Sequence, residues 1–140
     1  MFRSVSAVAL LFSALLLAGC GESAQEKAEA QVCSARADIS KQITTLSDLT
    51  LSTTSVTTAK TSFEAISSDL TKIRGAQQNL APARKQELEA ATHTFETQLT
   101  SIVNELSSTL SLSNAATQVK SAVTKLTTSY KQTLAPISCS

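Results

Sequence analysis

The feature that most constrains this chain is the spacing of apolar residues between positions 56 and 80. They recur at steps of three and four residues, the interval that separates side chains on one face of an α-helix. The positions are Val56, Ala59, Phe63, Ile66, Leu70 and Ile73, followed by Gln77 and Leu80. A stripe of this kind forms the seam between packed helices. The pattern therefore predicts a helix that buries one face against a partner.

Three further segments show the same spacing. The first contains Val32, Ala35, Ile39, Ile43, Leu46 and Thr50; the next contains Leu88, Ala91, Phe95, Leu99, Ile102, Leu106 and Leu110; the last contains Leu112, Ala116, Val119, Val123, Leu126, Tyr130 and Leu134. No segment has the alternation typical of a strand. Four helices with short connections predict an all-α fold, an antiparallel up-down-up-down four-helix bundle with coiled-coil-like packing.

Local signals mark several helix ends. Ser23 and Glu26 have the spacing of a capping box, so the first helix should start there. Residues 49–54, LTLSTT, are rich in β-branched residues and lack helical spacing, which indicates a connection. Ser113 is a good N-cap for the fourth helix, which should stop before Pro136.

The boundary between the second and third helices has two interpretations. Pro82 suits the first turn of a helix, so the third helix should start there. Gly75, with Lys72 and Arg74 in the turn before it, has the features of a helix end and would stop the second helix early. The interruption of the stripe at residues 79–82 would instead place the end later. The sequence alone leaves both open.

The first 20 residues have the organisation of an export signal. Arg3 supplies a positive charge, and residues 5–17 are apolar apart from two serines. This run is shorter than the roughly 20 apolar residues that a transmembrane helix needs. It ends in Leu17-Ala18-Gly19-Cys20, which resembles the lipobox of bacterial lipoproteins.

The lipobox resemblance implies how the chain is divided. Residues 1–19 would be a lipoprotein signal peptide, residues 20–22 the lipidated Cys20 with a short tether, and residues 23–140 the helical bundle. Several acyl chains on one cysteine hold a protein firmly to a bilayer. The implied location is the outer face of a cell membrane or an outer membrane. Gly21 replaces the aspartate that favours retention at the inner membrane of Gram-negative cells.

If Cys20 carries lipid, two cysteines remain, Cys33 and Cys139. An even number of cysteines in an oxidising compartment predicts a disulfide, with two free buried thiols as the alternative. In the predicted bundle the end of helix four lies beside the start of helix one. Because Cys33 lies well inside helix one, the chain after Leu134 must fold back along the bundle to reach it.

Composition and motifs give little support for catalysis, for a metal site or for nucleic-acid binding. The formal charge is +1, without a block of basic residues. Glu89, His93 and Glu96 share a helical face and could contribute to a metal site. That face lies away from the apolar stripe, so we expect it to be solvated. We expect no enzyme activity, no cofactor and no metal.

Residues 21–140 also resemble small Ala/Ser/Thr-rich helical lipoproteins of actinobacteria, a resemblance that carries over no functional residue. We expect Phe63, Phe95 and Tyr130 to be core residues, with a cavity wall as the alternative. The expected function is a non-enzymatic structural or protein-interaction module of the cell envelope, bound to the membrane through its lipid and to an envelope protein. The alternative is a binding module for a lipid or another apolar ligand.

Overall fold

All regular structure in the described part of the chain is helical. A computed structural model describes residues 23–49, 53–109 and 115–139, and the side chains of 23–49, 57–108 and 117–139. Its helices are α1 (Ala24–Ser47), α2 (Thr53–Ala76), α3 (Pro82–Thr109) and α4 (Ala115–Thr133), with a 3₁₀ turn (Gln77–Asn79) between α2 and α3. The predicted all-α class is confirmed.

Several predicted features lie outside the described residues. They are the signal peptide of residues 1–19, Cys20 with its tether, the seam positions Thr50, Leu110 and Leu112, and the helix cap Ser113.

The apolar stripes of the four helices meet in one core. In α1 the seam residues Val32, Ala35, Ile39, Ile43 and Leu46 are all buried, and α2 buries every described seam residue from Ala59 to Leu80. Ala91, Leu106, Val119 and Tyr130 are half-buried and pack against this core. Because serine and threonine are mediocre helix formers, burial of these stripes must supply most of the helical stability.

The start of α1, the start of α3 and the end of α4 agree with the local signals, whereas α2 begins at Thr53, inside the connection predicted for residues 49–54. Ser23 caps α1, because its hydroxyl accepts a hydrogen bond from Glu26 N at 3.1 Å while the Glu26 carboxylate accepts one from Ser23 N at 2.7 Å. Of the two interpretations of the second boundary, the later end is correct. Helix α2 continues through Gly75 to Ala76, and α3 begins at Pro82.

Each of the four helices packs against two neighbours, so that together they surround one core. Helix α1 lies against α2 and α3 lies against α4, while α1 also contacts α4 and α2 contacts α3. Among the described residues, no Cα atom of α1 lies within 8 Å of one of α3, and none of α2 lies within 8 Å of one of α4. The core therefore lies between two helix pairs.

The chain after α4, residues 134–139, folds back onto α1, and we call it the tail. The predicted disulfide joins Cys139 of the tail to Cys33 of α1, and the Cα atoms of these two residues are 5.7 Å apart. Ile137 is buried against the core, and the Arg36 guanidinium donates to its carbonyl oxygen. Tyr130 adds a link to the same place, since its hydroxyl donates to Arg36 O at 3.3 Å. The tail thus fastens the end of α4 to the first half of α1.

Candidate functional site

An apolar groove lies between the first half of α2 and the second half of α3. Its volume is about 500 Å³. The apolar side chains that line it are Ala59 and Phe63 from α2, Leu99, Val103 and Leu106 from α3, and Val119 from α4. Phe63 and Leu99 are buried, whereas Val103 and Val119 are half-buried. We call this the α2–α3 groove.

Its place along the two helices follows from where α2 and α3 are fastened together. The Arg74 guanidinium donates to the Glu96 carboxylate, and the Gln77 amide donates to Thr92 Oγ1 at 3.4 Å. Both links lie close to the 3₁₀ turn that joins the helices. The groove lies farther from that turn, where α2 contributes Ala59 and Phe63.

The rim of the groove is polar and close to neutral. Lys60 Nζ and Glu64 Oε1 lie 3.9 Å apart, with 78% and 66% of their side chains exposed. The other polar residues on the rim are Ser67, Thr100, Asn104 and Ser107. Since the Ser107 hydroxyl already donates to Val103 O at 2.8 Å, its donor is satisfied within α3.

This combination of an apolar floor and a polar rim suits binding. Pockets for small molecules commonly measure about 300–1,000 Å³ and have mostly apolar walls with a few polar groups. Removal of apolar surface from water contributes roughly 0.8 kcal/mol per buried methylene. The groove has the size and the lining to hold an apolar chain.

The three aromatic residues in the described part of the chain differ in their surroundings. Phe95 is fully buried and makes an edge-to-face contact with Tyr130, with ring centroids 6.3 Å apart. These two are core residues, as the sequence predicts. Phe63 is also part of the core, but it forms the floor of the groove as well. It is therefore both a core residue and a cavity wall, the two alternatives that the sequence left open. The sequence signal for a groove is the pair of small residues, Ala59 and Ser67, one helical turn on either side of Phe63.

The predicted acidic and histidine face on α3 does not converge on a site. His93 is exposed, and Glu89 lies 3.7 Å from Lys85 on its own helix. Glu96 pairs instead with Arg74 of α2. Among the residues that the structure describes, no group of three His, Cys, Asp or Glu side chains is arranged to hold a metal ion.

One ion pair is partly removed from water. Asp69 is buried in α2, and its carboxylate accepts a hydrogen bond from Lys72 Nζ at 2.7 Å. The hydrogen bond to Asp69, followed by the charges of Asp69 and Asp38, raises the pKa of Lys72 above its usual value. Neither residue lines the α2–α3 groove, so we assign this pair to helix packing.

Comparisons with known proteins identify no relative. No protein-family model matches the sequence, and neither a curated protein nor a solved structure matches the chain. Within the described ranges, no helix combines the length and apolarity needed to cross a membrane.

Proposed function

We propose that this protein is a lipid-anchored, extracytoplasmic binding module without enzyme activity. In this proposal residues 1–19 are removed as a signal peptide, and acyl chains on Cys20 hold the protein at the membrane. Residues 23–140 form an antiparallel up-down-up-down four-helix bundle with coiled-coil-like packing. The α2–α3 groove binds an apolar molecule.

Contacts between helices support the antiparallel directions. Between α3 and α4, Gln98 accepts a hydrogen bond from Ser129, and Glu105 lies 2.7 Å from Lys125. As the residue number rises along α3, the number of its partner in α4 falls. The links between α2 and α3 near the 3₁₀ turn follow the same rule.

The start of α1 and the disulfide support an anchored protein outside the cytoplasm. The helix cap at Ser23 follows the lipobox cysteine almost directly, which would hold the bundle close to the membrane surface. The Cys33–Cys139 disulfide is typical of an oxidising compartment. Two or three acyl chains are sufficient for stable anchoring.

The observation that carries the binding role is the α2–α3 groove itself. Its lining consists of aliphatic, aromatic and neutral polar side chains with one ion pair at the rim. Such a lining offers burial of apolar surface and a few hydrogen bonds. A half-open groove between helices of a small bundle suits a single apolar chain.

The anchor is tested by replacing Cys20. We expect the wild-type protein in the membrane fraction, with a mass that shows loss of residues 1–19 and gain of lipid. Cys20→Ala should abolish both processing and lipid addition, whereas Ser23→Ala should leave both intact. A wild-type protein that keeps its leader and gains no lipid would refute the anchor.

The groove is tested on the unlipidated chain, residues 21–140, with a pyrene-labelled fatty alcohol as the ligand. Val103→Phe fills the groove and should abolish binding. Thr97→Phe adds the same ring at an exposed position of α3 outside the groove and should leave binding unchanged. Equal binding by the two variants would show that the groove is not the site.

A protein-interaction role is the second candidate. It is favoured by a second groove, between α1 and α4, which shares Val119 with the first and whose lining includes two lysines.

A further inference from the structure

The groove between α1 and α4 differs in chemistry from the α2–α3 groove. Its volume is about 590 Å³. The end of α1 contributes Leu46, Ser47 and Leu49, and α4 contributes Val119, Lys120, Val123, Thr124, Thr127, Thr128 and Lys131. We call it the α1–α4 groove. Apolar and polar side chains are mixed along it, and a lysine lies at each end of its α4 wall.

The α4 residues of this groove form one continuous stripe. Counted from Lys120, they lie three, four, seven, eight and eleven positions further along the helix, which places them on one face. At 1.5 Å per residue, Lys120 and Lys131 are about 16 Å apart along the axis. The groove therefore presents two positive charges separated by three helical turns.

These two charges are unneutralised in the described structure. From residue 106 to residue 140 the sequence contains three lysines and no aspartate or glutamate. Lys125 pairs with Glu105 of α3 at 2.7 Å. Lys120 and Lys131 are exposed, and no carboxylate among the described residues lies within 4.0 Å of either ammonium group.

The floor between the lysines offers methyl groups. The Thr124 hydroxyl donates to Lys120 O at 2.9 Å, and the Thr127 hydroxyl donates to Val123 O at 2.8 Å. Since these donors are used within α4, what the threonines offer a ligand is a methyl group and an oxygen acceptor. Small side chains allow another helix to approach closely.

We propose that the α1–α4 groove docks an acidic amphipathic helix of a partner protein. Two carboxylates about eleven residues apart on that helix pair with Lys120 and Lys131. The apolar residues between them pack on the half-buried Leu49 and on the methyl groups of the exposed Thr124 and Thr128. This proposal deepens the second candidate function and does not require a ligand in the α2–α3 groove.

Spacing and position favour a helix over an anionic lipid. A single headgroup can reach one lysine, whereas a helix can present carboxylates to both. In addition, the anchor would hold the start of α1 at the membrane surface, and Leu46 lies roughly 30 Å along α1 from that start. The groove would therefore lie away from the lipid. Helices that lay an apolar stripe into a groove are a common mode of protein recognition.

The test uses the intact lipoprotein in nanodiscs of zwitterionic lipid. A phage-displayed library of helical peptides of about 18 residues, five turns, is selected on it after removal of binders to empty nanodiscs. We expect enriched peptides to be amphipathic, with acidic residues about eleven positions apart flanking apolar ones. Enrichment of neutral or basic peptides, or no enrichment, would overturn the proposal.

Charge reversal shows where the enriched peptide binds. Lys120→Glu and Lys131→Glu should each weaken binding about fivefold, the effect of losing a partly exposed ion pair. Lys27→Glu, an exposed lysine of α1 outside the groove, should have no effect. A peptide with lysines in place of its two acidic residues should bind the double variant better than the wild type. Circular dichroism checks that the double variant is folded. If the folded double variant does not bind the lysine peptide better than the wild type does, the proposal is contradicted.

Two further controls separate the remaining possibilities. Val103→Phe should leave peptide binding unchanged, so failure of the α2–α3 site and failure of this site are distinguishable. Binding of the bundle to vesicles of anionic lipid is measured with the same lysine variants. If the vesicles bind through Lys120 and Lys131 and the peptides do not, the occupant is a lipid surface and the proposal is wrong.

Discussion

Gly75 lies at an exposed position in the last turn of α2, although no special conformation requires glycine there. The backbone has no glycine with positive φ in the described part, and a Cβ atom added at Gly75 would have no heavy atom within 4 Å. We expect Gly75→Ala to raise the free energy of unfolding by about 0.5–1 kcal/mol, because alanine restricts the unfolded chain and favours the helix. Urea unfolding measures this change.

The matched control reverses the substitution at an exposed alanine of α3. Ala90→Gly should lower the free energy of unfolding by a similar amount. A loss of stability in Gly75→Ala would mean that the residue has a role that the structure does not show.

The capping box makes the start of α1 sensitive to acid. The pKa of the Glu26 carboxyl is lowered below the reference value of 4.5 by two hydrogen bonds with Ser23. The bond with the backbone N–H of Ser23 has the larger effect, and the bond with the Ser23 hydroxyl has the smaller one. A carboxylate whose pKa is lower in the folded state stabilises the fold above its unfolded pKa and loses this effect as pH falls through the folded pKa. Glu26→Gln should therefore reduce the loss of stability below about pH 4.5, measured by urea unfolding across that range.

The hydroxyl half of the same cap is tested by Ser23→Ala. We expect a loss of about 1 kcal/mol at neutral pH, which is typical for removal of an N-cap side chain. Unchanged stability in both variants would show that α1 does not depend on this cap.

At the scale of elements, the tail and its disulfide hold α4 against α1. The two cysteines are 106 residues apart in sequence. A cross-link over so long a loop contributes on the order of 4–5 kcal/mol in the chain-entropy model. We expect Cys33→Ser with Cys139→Ser to lower the free energy of unfolding by this amount, measured with urea against the oxidised wild type.

The contribution of tail packing is separated from that of the cross-link by Ile137→Ala in the oxidised chain. Because Ile137 is 3% exposed, its truncation should cost about 2–5 kcal/mol. If the double serine variant is as stable as the wild type, the disulfide is not needed to complete this core.

Helical periodicity was sufficient to predict most of the elements. The steps of three and four residues identified most of the buried apolar positions of α1 and α2 but missed Ala28 and Ala76, and Pro82 located the start of α3. The two remaining cysteines predicted the disulfide and the reversal of the tail. Ile137 was missed as a core residue because it follows Pro136, outside any periodic segment.

The grooves could not be predicted in the same way. Periodicity shows which residues face a neighbouring helix, but the space left between two helices depends on the side chains of both. Phe63 fits a seam equally well whether Val103 meets it or leaves a gap. Lys120 and Lys131 look like ordinary surface residues until the end of α1 is known to lie beside that face of α4.

At the scale of the whole molecule, the covalent and polar links that join the two helix pairs lie away from the α2–α3 groove. The disulfide, the Arg36 contacts and the links from α2 to α3 all join the first half of α1, the end of α2, the start of α3 and the end of α4. The α2–α3 groove lies along the other halves of α2 and α3, whereas the α1–α4 groove runs from the end of α1 along α4 as far as Lys131. A ligand between the two helix pairs would therefore add contacts where covalent and polar links are sparse.

The proposed ligand in the α2–α3 groove would make stability dependent on its concentration. A molecule that binds only the folded chain stabilises it by about 2.7 kcal/mol at a concentration one hundred times its Kd. We expect the fatty alcohol to raise the unfolding temperature of the wild type and of Thr97→Phe, but not of Val103→Phe. Thermal unfolding at increasing ligand concentration checks this, and an equal rise in Val103→Phe would place the ligand elsewhere.

The most direct test of the binding role is native mass spectrometry of the lipoprotein released from its own membrane. We expect the wild-type protein to carry a small apolar molecule in addition to the lipid on Cys20, and Val103→Phe purified in parallel to carry only the lipid. A wild-type protein that leaves the membrane with an empty groove, or a bound molecule that persists in Val103→Phe, would contradict the α2–α3 groove as the binding site.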